Sequence, residues 1–278
     1  DEVHMVYQFS LPPLVLHALL TGNAAFLAQW AEDLEDPPPG CTFLNFTSSH
    51  DGIGVRPLQG LVPDGDLEEL VEAVRQRGGE VSMKSNADGT ESPYELNITY
   101  LSALTDPGET VPGPTSIDRF VCSQAIELAF KGIPAIYFNN LVGGLNNHEG
   151  AKETGRARTL NRGKWNWPDL NERLDDESSH QARIYRRLIH LLHVRAGEEA
   201  FHPESEQTIH RVSDKVLIIE REAVVCLNNV TDETVQLDAA FLKSGTYRDL
   251  ISGRELEIQQ QLSLKPYETL WLREQISP

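Results

Sequence analysis

The feature that most limits the fold of this chain is an alternation: short apolar runs, each followed by a polar, glycine-bearing loop and then by a helical pattern. Residues 2–9 are β-rich and short. LPPLVLHALL (11–20) then reads as a helix with prolines in its first turn, where a missing N–H costs nothing. A second helix is predicted from Asn23, with Phe26, Leu27, Trp30 and Leu34 at helical spacing, until DPPPG (36–40) ends it. The run at 42–46 predicts a buried strand, and IPAIYF (133–138) predicts another. Between them Ser116 can cap a helix running through Phe130 and ended by Gly132. A further helix is predicted over about 178–195, with Ile184, Leu188, Leu191 and Leu192 on one face. Such a pattern argues for the parallel βα units of an α/β barrel, whose chemistry gathers beyond the carboxyl ends of the strands.

Two stretches depart from the alternation. Residues 56–115 are polar and turn-rich, with one amphipathic helix near 66–77, and read as a long loop insertion of the kind that usually carries function. From about residue 203 the runs become short and β-rich, as in VLIIE (216–220), AVVCLN (223–228) and TLWLR (269–273), which predicts a small antiparallel β domain. The expected division is 1–202 for the barrel portion and 203–278 for the β domain.

With 24 basic and 42 acidic residues, a formal net charge of −18, the chain would be repelled by nucleic acid and by an anionic membrane surface. No apolar stretch approaches the roughly 20 residues of a membrane span. Cys41, Cys122 and Cys226 sit in apolar runs without metal-like spacing and read as reduced, buried thiols, so the expected compartment is the cytoplasm.

The stretch FTSSHDGIGVRP (46–57) sets His50 beside Asp51 just after the predicted buried strand, ahead of Gly52 and Gly54. Taken alone, such a pair is more often a hydrogen-bonded loop anchor than a catalytic group. Glu95 reads by default as a solvated charge and Arg162 as an ion-pairing surface residue. His148 and Glu149 are adjacent and lack a third ligand at suitable spacing, so no metal is expected. Trp165 and Trp167, beside Pro168, read as a packed loop.

FLNFTSSHDGIGV (43–55) resembles the strand-seven motif of glycoside hydrolase family 13, the α-amylase superfamily, and its HDGIGV form is similar to the sucrose phosphorylase subfamily. YQFSLPP (7–13) resembles that subfamily's strand six, PYELNITY (93–100) its mobile active-site loop, and GRARTLNR (155–162) the segment after strand eight. The resemblance runs in order over essentially the whole chain. It implies strands six to eight of a (β/α)8 barrel followed by the β domain. It also implies transfer of an α-glucosyl group between a glucoside and inorganic phosphate, giving α-glucose 1-phosphate, with no cofactor and no metal. The glucoside would be sucrose, glucosylglycerate, glucosylglycerol or sucrose 6-phosphate. Asp51 would stabilise the transition state, His50 and Arg162 would bind the glucosyl ring, and Tyr94 and Glu95 would face the acceptor. Sucrose-active members carry Gln where this chain has Glu95 and Leu where it has Pro93, a departure that points away from sucrose.

In that family the nucleophilic Asp lies in an ArgXaaAsp pattern on strand four and the acid/base Glu ends strand five. The only such pattern here, Arg173-Leu174-Asp175, is hydrophilic and lacks a strand. The chain is therefore expected to start at strand six, to lack both groups and to be inactive alone. The missing amino-terminal barrel half would be supplied in cis or by another chain. A hydrolase or transglucosidase of the same superfamily, and a non-catalytic carbohydrate-binding half-barrel, are the alternatives.

Overall fold

Residues 3–275 are described by a computed structural model, in which β1 (Met5–Tyr7) pairs in parallel with β2 (Thr42–Asn45), Met5 opposite Thr42 and Tyr7 opposite Leu44. Glu2, where the first β-rich stretch was read to begin, lies outside the described residues. The connection is helical, through α1 (Leu11–Thr21) and α2 (Ala25–Glu32). Pro12 and Pro13 occupy the first turn of α1, and Gly22 ends it in the left-handed region at φ +68°, returning its N–H to the Ala18 carbonyl. That conformation is one glycine adopts without strain.

After β2 the chain builds a separate antiparallel sheet from β3 (Ile53–Gly54), β4 (Glu80–Ser85) and β5 (Glu91–Asn97), in the order β3-β5-β4. The helix α3 (Asp64–Gln76) joins β3 to β4, packing Leu70, Val71 and Val74 inward. The stretch 56–115 is thus no long loop. It holds this helix, two of the three strands and α4 (Tyr100–Leu104). The segment 92–97, expected as a mobile loop, is the central strand of the sheet.

The long helix α5 (Pro114–Ala129) starts two residues before Ser116, with Gly113 as its N-cap and Pro114 in its first turn. Ser116 does not cap it; its hydroxyl donates to Glu109 Oε2 at 2.8 Å. Buried on nearly every side, α5 leads to β6 (Ile133–Pro134), which pairs in parallel with β2 and completes a sheet of order β1-β2-β6. The pairing of β6 ends at Pro134, opposite the last residue of β2, and the chain turns into α6 (Phe138–Leu141). Then follow α7 (His148–Thr154), α8 (Trp167–Asp175) and α9 (His180–Ala196), the last capped by Ser179 accepting from the Ala182 N–H. The parallel sheet stays open: Val6 is 49% and Tyr7 55% exposed, and Met5, Phe9 and Ile133 are also exposed.

The C-terminal strands are β7 (Thr208–Ser213), β8 (Val216–Arg221), β9 (Val224–Asn229), β10 (Val235–Asp238), β11 (Gly245–Asp249), β12 (Glu255–Ile258), β13 (Gln261–Leu264) and β14 (Thr269–Glu274). Six of them form an antiparallel sheet of order β12-β11-β14-β9-β8-β7, and β10 pairs with β13. The period of two sorts the side chains. Leu217, Ile219, Val224, Cys226 and Trp271 join the helical core, while Val216, Ile218, Val225 and Leu227 pack beneath β10 and β13. Two arginines, Arg221 from β8 and Arg195 from α9, tie their elements to the carboxyl end of α5. Arg221, fully buried, donates to the Ala129 and His202 carbonyls at 3.0 and 2.8 Å, and Arg195 to those of Leu128 and Gly132. Desolvation lowers the Arg221 guanidinium to about 10, still charged at neutral pH.

All three thiols are free, and Cys122 and Cys226 are buried as expected; burial pushes the Cys122 thiol up to about 12. Cys41 is only half-buried, because it precedes β2 at the open end of the parallel sheet.

Candidate active site

The site grows from the carboxyl end of β2. Asn45, its last residue, is buried and donates to the Lys131 carbonyl at 3.0 Å, tying the strand to the end of α5. Two residues on, Thr47 donates to Glu127 Oε2 at 2.8 Å and accepts from Gln124 and Asn140. Asn140 also accepts from Ser48 at 2.8 Å. A buried polar network thus fixes the backbone just before His50 and Asp51. Burial raises the Glu127 carboxyl to about 8, so it is mostly protonated at pH 7.

Asp51 lies at a meeting of cations. Arg158 Nη1 and Arg162 Nη2 each stand 3.0 Å from Asp51 Oδ1, and His50 Nε2 lies 3.6 Å from Oδ2. Arg162 also donates from Nε to the His50 carbonyl at 2.6 Å, while buried Asn161 donates to the carbonyls of both His50 and Asp51 at 3.0 Å. The loop is therefore clamped through its backbone, which leaves the Asp51 side chain 42% and the His50 ring 71% exposed.

Glu95 forms the opposite wall. Its carboxylate takes two parallel bonds from Arg158, 2.8 Å from Nε and 2.6 Å from Nη2, the fork geometry that makes arginine the strongest partner for a carboxylate. Glu95 is 4% exposed, so it is no solvated charge. Its carboxylate in turn holds the Arg158 guanidinium above its ordinary value. Arg158 thus bridges Glu95 on β5 and Asp51 on the β2 loop. Tyr94, next to Glu95, is 41% exposed, and its carbonyl accepts from the Val55 N–H at 3.1 Å.

The two glycines of the motif play different parts. A Cβ on Gly52 would lie 2.5 Å from Glu95 Cγ and 2.6 Å from the Leu96 carbonyl, so only glycine lets the loop pass against β5. Gly54 has no neighbour within 4 Å of such a Cβ, and neither residue has a positive φ. The backbone at Gly52 is thus held in a close approach to β5.

These walls enclose a cleft of about 820 Å³. Asp51, Glu95, Tyr94 and His50 line it together with Arg56 and Arg158. Tyr7, Phe9 and Phe46 make its aromatic side, with ring centroids 5.7–5.9 Å apart. Carboxylates and guanidiniums beside aromatic faces suit a polyhydroxylated ligand, which offers hydroxyls to the first and C–H faces to the second. Four of the five expected residues, His50, Asp51, Tyr94 and Glu95, therefore share one cleft. Arg162 is not on its wall and stands behind Asp51. The residue that sequence reasoning missed is Arg158, together with Asn161. Its signal was a second arginine in the same GRARTLNR segment, four residues before Arg162.

No family model matches the chain. Among curated proteins it is 38% identical over 275 residues to the glucosylglycerate phosphorylase of Escherichia coli (strain K12), a match covering 98% of this chain and 49% of that protein. It is 32% identical over 271 residues to the sucrose phosphorylase of Agrobacterium vitis, covering 91% of this chain and 49% of that one. Among solved structures, sucrose 6F-phosphate phosphorylase from Thermoanaerobacter thermosaccharolyticum superposes with a TM-score of 0.67 at 23% identity, over 91% of this chain and 47% of that chain. The chain spans about half the length of the curated relatives it matches. Its parallel strands, the helices between them and the antiparallel domain are the carboxyl-terminal part of a (β/α)8 barrel enzyme fold. From fold and relatives together, the chain belongs to the sucrose-phosphorylase-like group of glycoside hydrolase family 13.

Proposed function

We propose that the complete enzyme transfers an α-glucosyl group reversibly between glucosylglycerate and inorganic phosphate, giving α-glucose 1-phosphate and glycerate. The observation that carries this reading is the cleft itself. Asp51, held by two guanidiniums, lines one cleft of about 820 Å³ together with His50, Tyr94 and Glu95. The higher identity to glucosylglycerate phosphorylase, 38% against 32% for sucrose phosphorylase, supports that glucoside over sucrose.

In this reading the scissile C1–O bond breaks through an oxocarbenium-like transition state, first to a covalent glucosyl-enzyme and then onto phosphate with net retention. The nucleophile and acid/base belong to the part of the relatives that this chain does not span, in cis or on a second chain, and that part also covers the open parallel sheet. Asp51 accepts hydrogen bonds from the glucosyl hydroxyls and strengthens them as positive charge develops on the ring, which lowers the barrier by differential binding. His50 donates to the same ring. Arg162 holds Asp51 from behind, while Tyr94 and Glu95 border the acceptor. We assign residues 1–202 to the barrel and 203–278 to the β domain. We place the reaction in the reducing cytoplasm, a setting that suits three free thiols.

The test uses the full-length enzyme with phosphate and a panel of sucrose, sucrose 6-phosphate, glucosylglycerol and glucosylglycerate, following α-glucose 1-phosphate. Asp51→Asn is expected to lower kcat about a thousandfold, the scale of a lost transition-state contact, with a much smaller change in KM. Free glucose released without any need for phosphate would make the enzyme a hydrolase and overturn the proposal.

A further inference from the structure

The cleft carries one cation that its own residues do not use. Arg158 is spent on Glu95 and Asp51, Arg162 on Asp51, and His50 lies beside Asp51. Arg56 lines the same cleft, and among the described residues its guanidinium forms no ion pair and no side-chain hydrogen bond. Its backbone is nevertheless firmly placed. Val55 and Leu58, on either side, are fully buried, the Val55 N–H is bound by the Tyr94 carbonyl at 3.1 Å, and the Gln59 N–H returns to the Arg56 carbonyl. A fixed base with an exposed, unpaired side chain adds a positive charge to the lining of the cleft.

We propose that Arg56 receives the carboxylate of an acid acceptor and so determines the acceptor class; this rests on the glucosylglycerate reading above. Two carboxylates, Asp51 and Glu95, already face the cleft. Their charges are already matched by Arg158 and Arg162, so an anionic acceptor needs a further cation of its own, whereas a neutral polyol does not. A guanidinium supplies a permanent charge and a planar fork that matches a carboxylate with two parallel bonds. Inorganic phosphate offers the same guanidinium a similar face, so the experiment separates the two anions.

Full-length enzyme and its Arg56→Gln variant are compared in the synthetic direction, with α-glucose 1-phosphate as donor and either glycerate or glycerol as acceptor. The two acceptors share a carbon skeleton and differ in the carboxylate. Phosphorolysis at varied phosphate is measured alongside. The glycerate-to-glycerol ratio of kcat/KM is expected to fall about 10- to 100-fold, the loss of a charge-assisted hydrogen bond, through a higher KM for glycerate. Arg56→Lys is expected to recover part of the ratio. A ratio that does not move, or a folding defect that lowers both acceptors equally, overturns the proposal. A rise in KM for phosphate larger than that for glycerate reassigns Arg56 to phosphate and overturns it as well. An unsubstituted enzyme that uses glycerol or fructose but not glycerate would overturn the glucosylglycerate reading itself. An unmoved ratio in an enzyme that does use glycerate would overturn the role of Arg56 alone.

Discussion

The parallel strands β1, β2 and β6 and the antiparallel strands β8, β9 and β14 draw on the same valines, leucines and aromatics, yet only the second set is covered. Every residue of β9 is buried, whereas every residue of β1 is exposed. The difference lies in the partners. The antiparallel strands have α5 on one face and the pair β10 and β13 on the other, so both rows of side chains leave water. The parallel strands have helices behind them and open space in front. A strand's composition therefore states only that it is built to be buried; whether it is buried depends on a second surface. The C-terminal domain carries that surface within the chain, and the barrel portion does not.

Three substitutions test this contrast, beginning with the most damaging. Trp271 is fully buried on β14 and packs 4.6 Å from the ring of Phe201, at the seam between the antiparallel sheet and the helices. Trp271→Ala is expected to cost about 3–5 kcal/mol in urea unfolding, the usual toll of deleting a large core aromatic. A cost below about 1 kcal/mol would mean that this seam is not where the chain draws its stability.

Glu127 comes next, because it places a titratable group inside the better-packed half of the barrel portion. Its carboxyl titrates near 8 in the folded chain against a reference value of 4.5. Below the lower value it is protonated in both states. Between the two values the unfolded chain gives up the proton and the folded chain keeps it, so stability declines as pH rises through this window and levels off above it. Glu127→Gln should flatten that decline, which amounts to about 1 kcal/mol per pH unit at its steepest. Unfolding curves with the same slope in both proteins would show that the carboxyl is already ionised inside.

The smallest effect is the most telling for the comparison. Val6→Ser in this 278-residue chain should cost less than about 0.5 kcal/mol, because the side chain is already in water. In the full-length enzyme the same change should cost about 1–3 kcal/mol, because the other barrel half would bury it. Equal costs in the two proteins would mean that the parallel sheet is not covered there.

Much of this architecture was legible in the sequence because the elements concerned follow local rules. The apolar run at 42–46, the prolines opening α1 and the apolar runs of β8 and β9 each specify their element within a few residues. What escaped depends on distant partners. The segment ESPYELN gives no sign of being a central strand, since Pro93 interrupts it and its inward position carries the carboxylate of Glu95. That carboxylate is tolerated inside only because Arg158, 63 residues away, meets it. The start of α5 was misplaced because Pro114 sets the first turn and leaves Ser116 inside the helix. In the site, His50 and Asp51 were visible as a motif. The double clamp from Arg158 and Asn161 was not, because both reach the loop across more than a hundred residues of chain.

Gly54 leads to a practical consequence. It lies on the cleft wall, in a strand held by β5, with empty space where its side chain would be. A thiol introduced there, Gly54→Cys, in a protein whose half-buried Cys41 has been replaced by serine, would be the accessible attachment point, because Cys122 and Cys226 are sealed in the core. A fluorophore on that thiol would sit beside Tyr94 and Arg56, and its emission would turn the binding of small molecules into an optical signal without disturbing the clamp on Asp51.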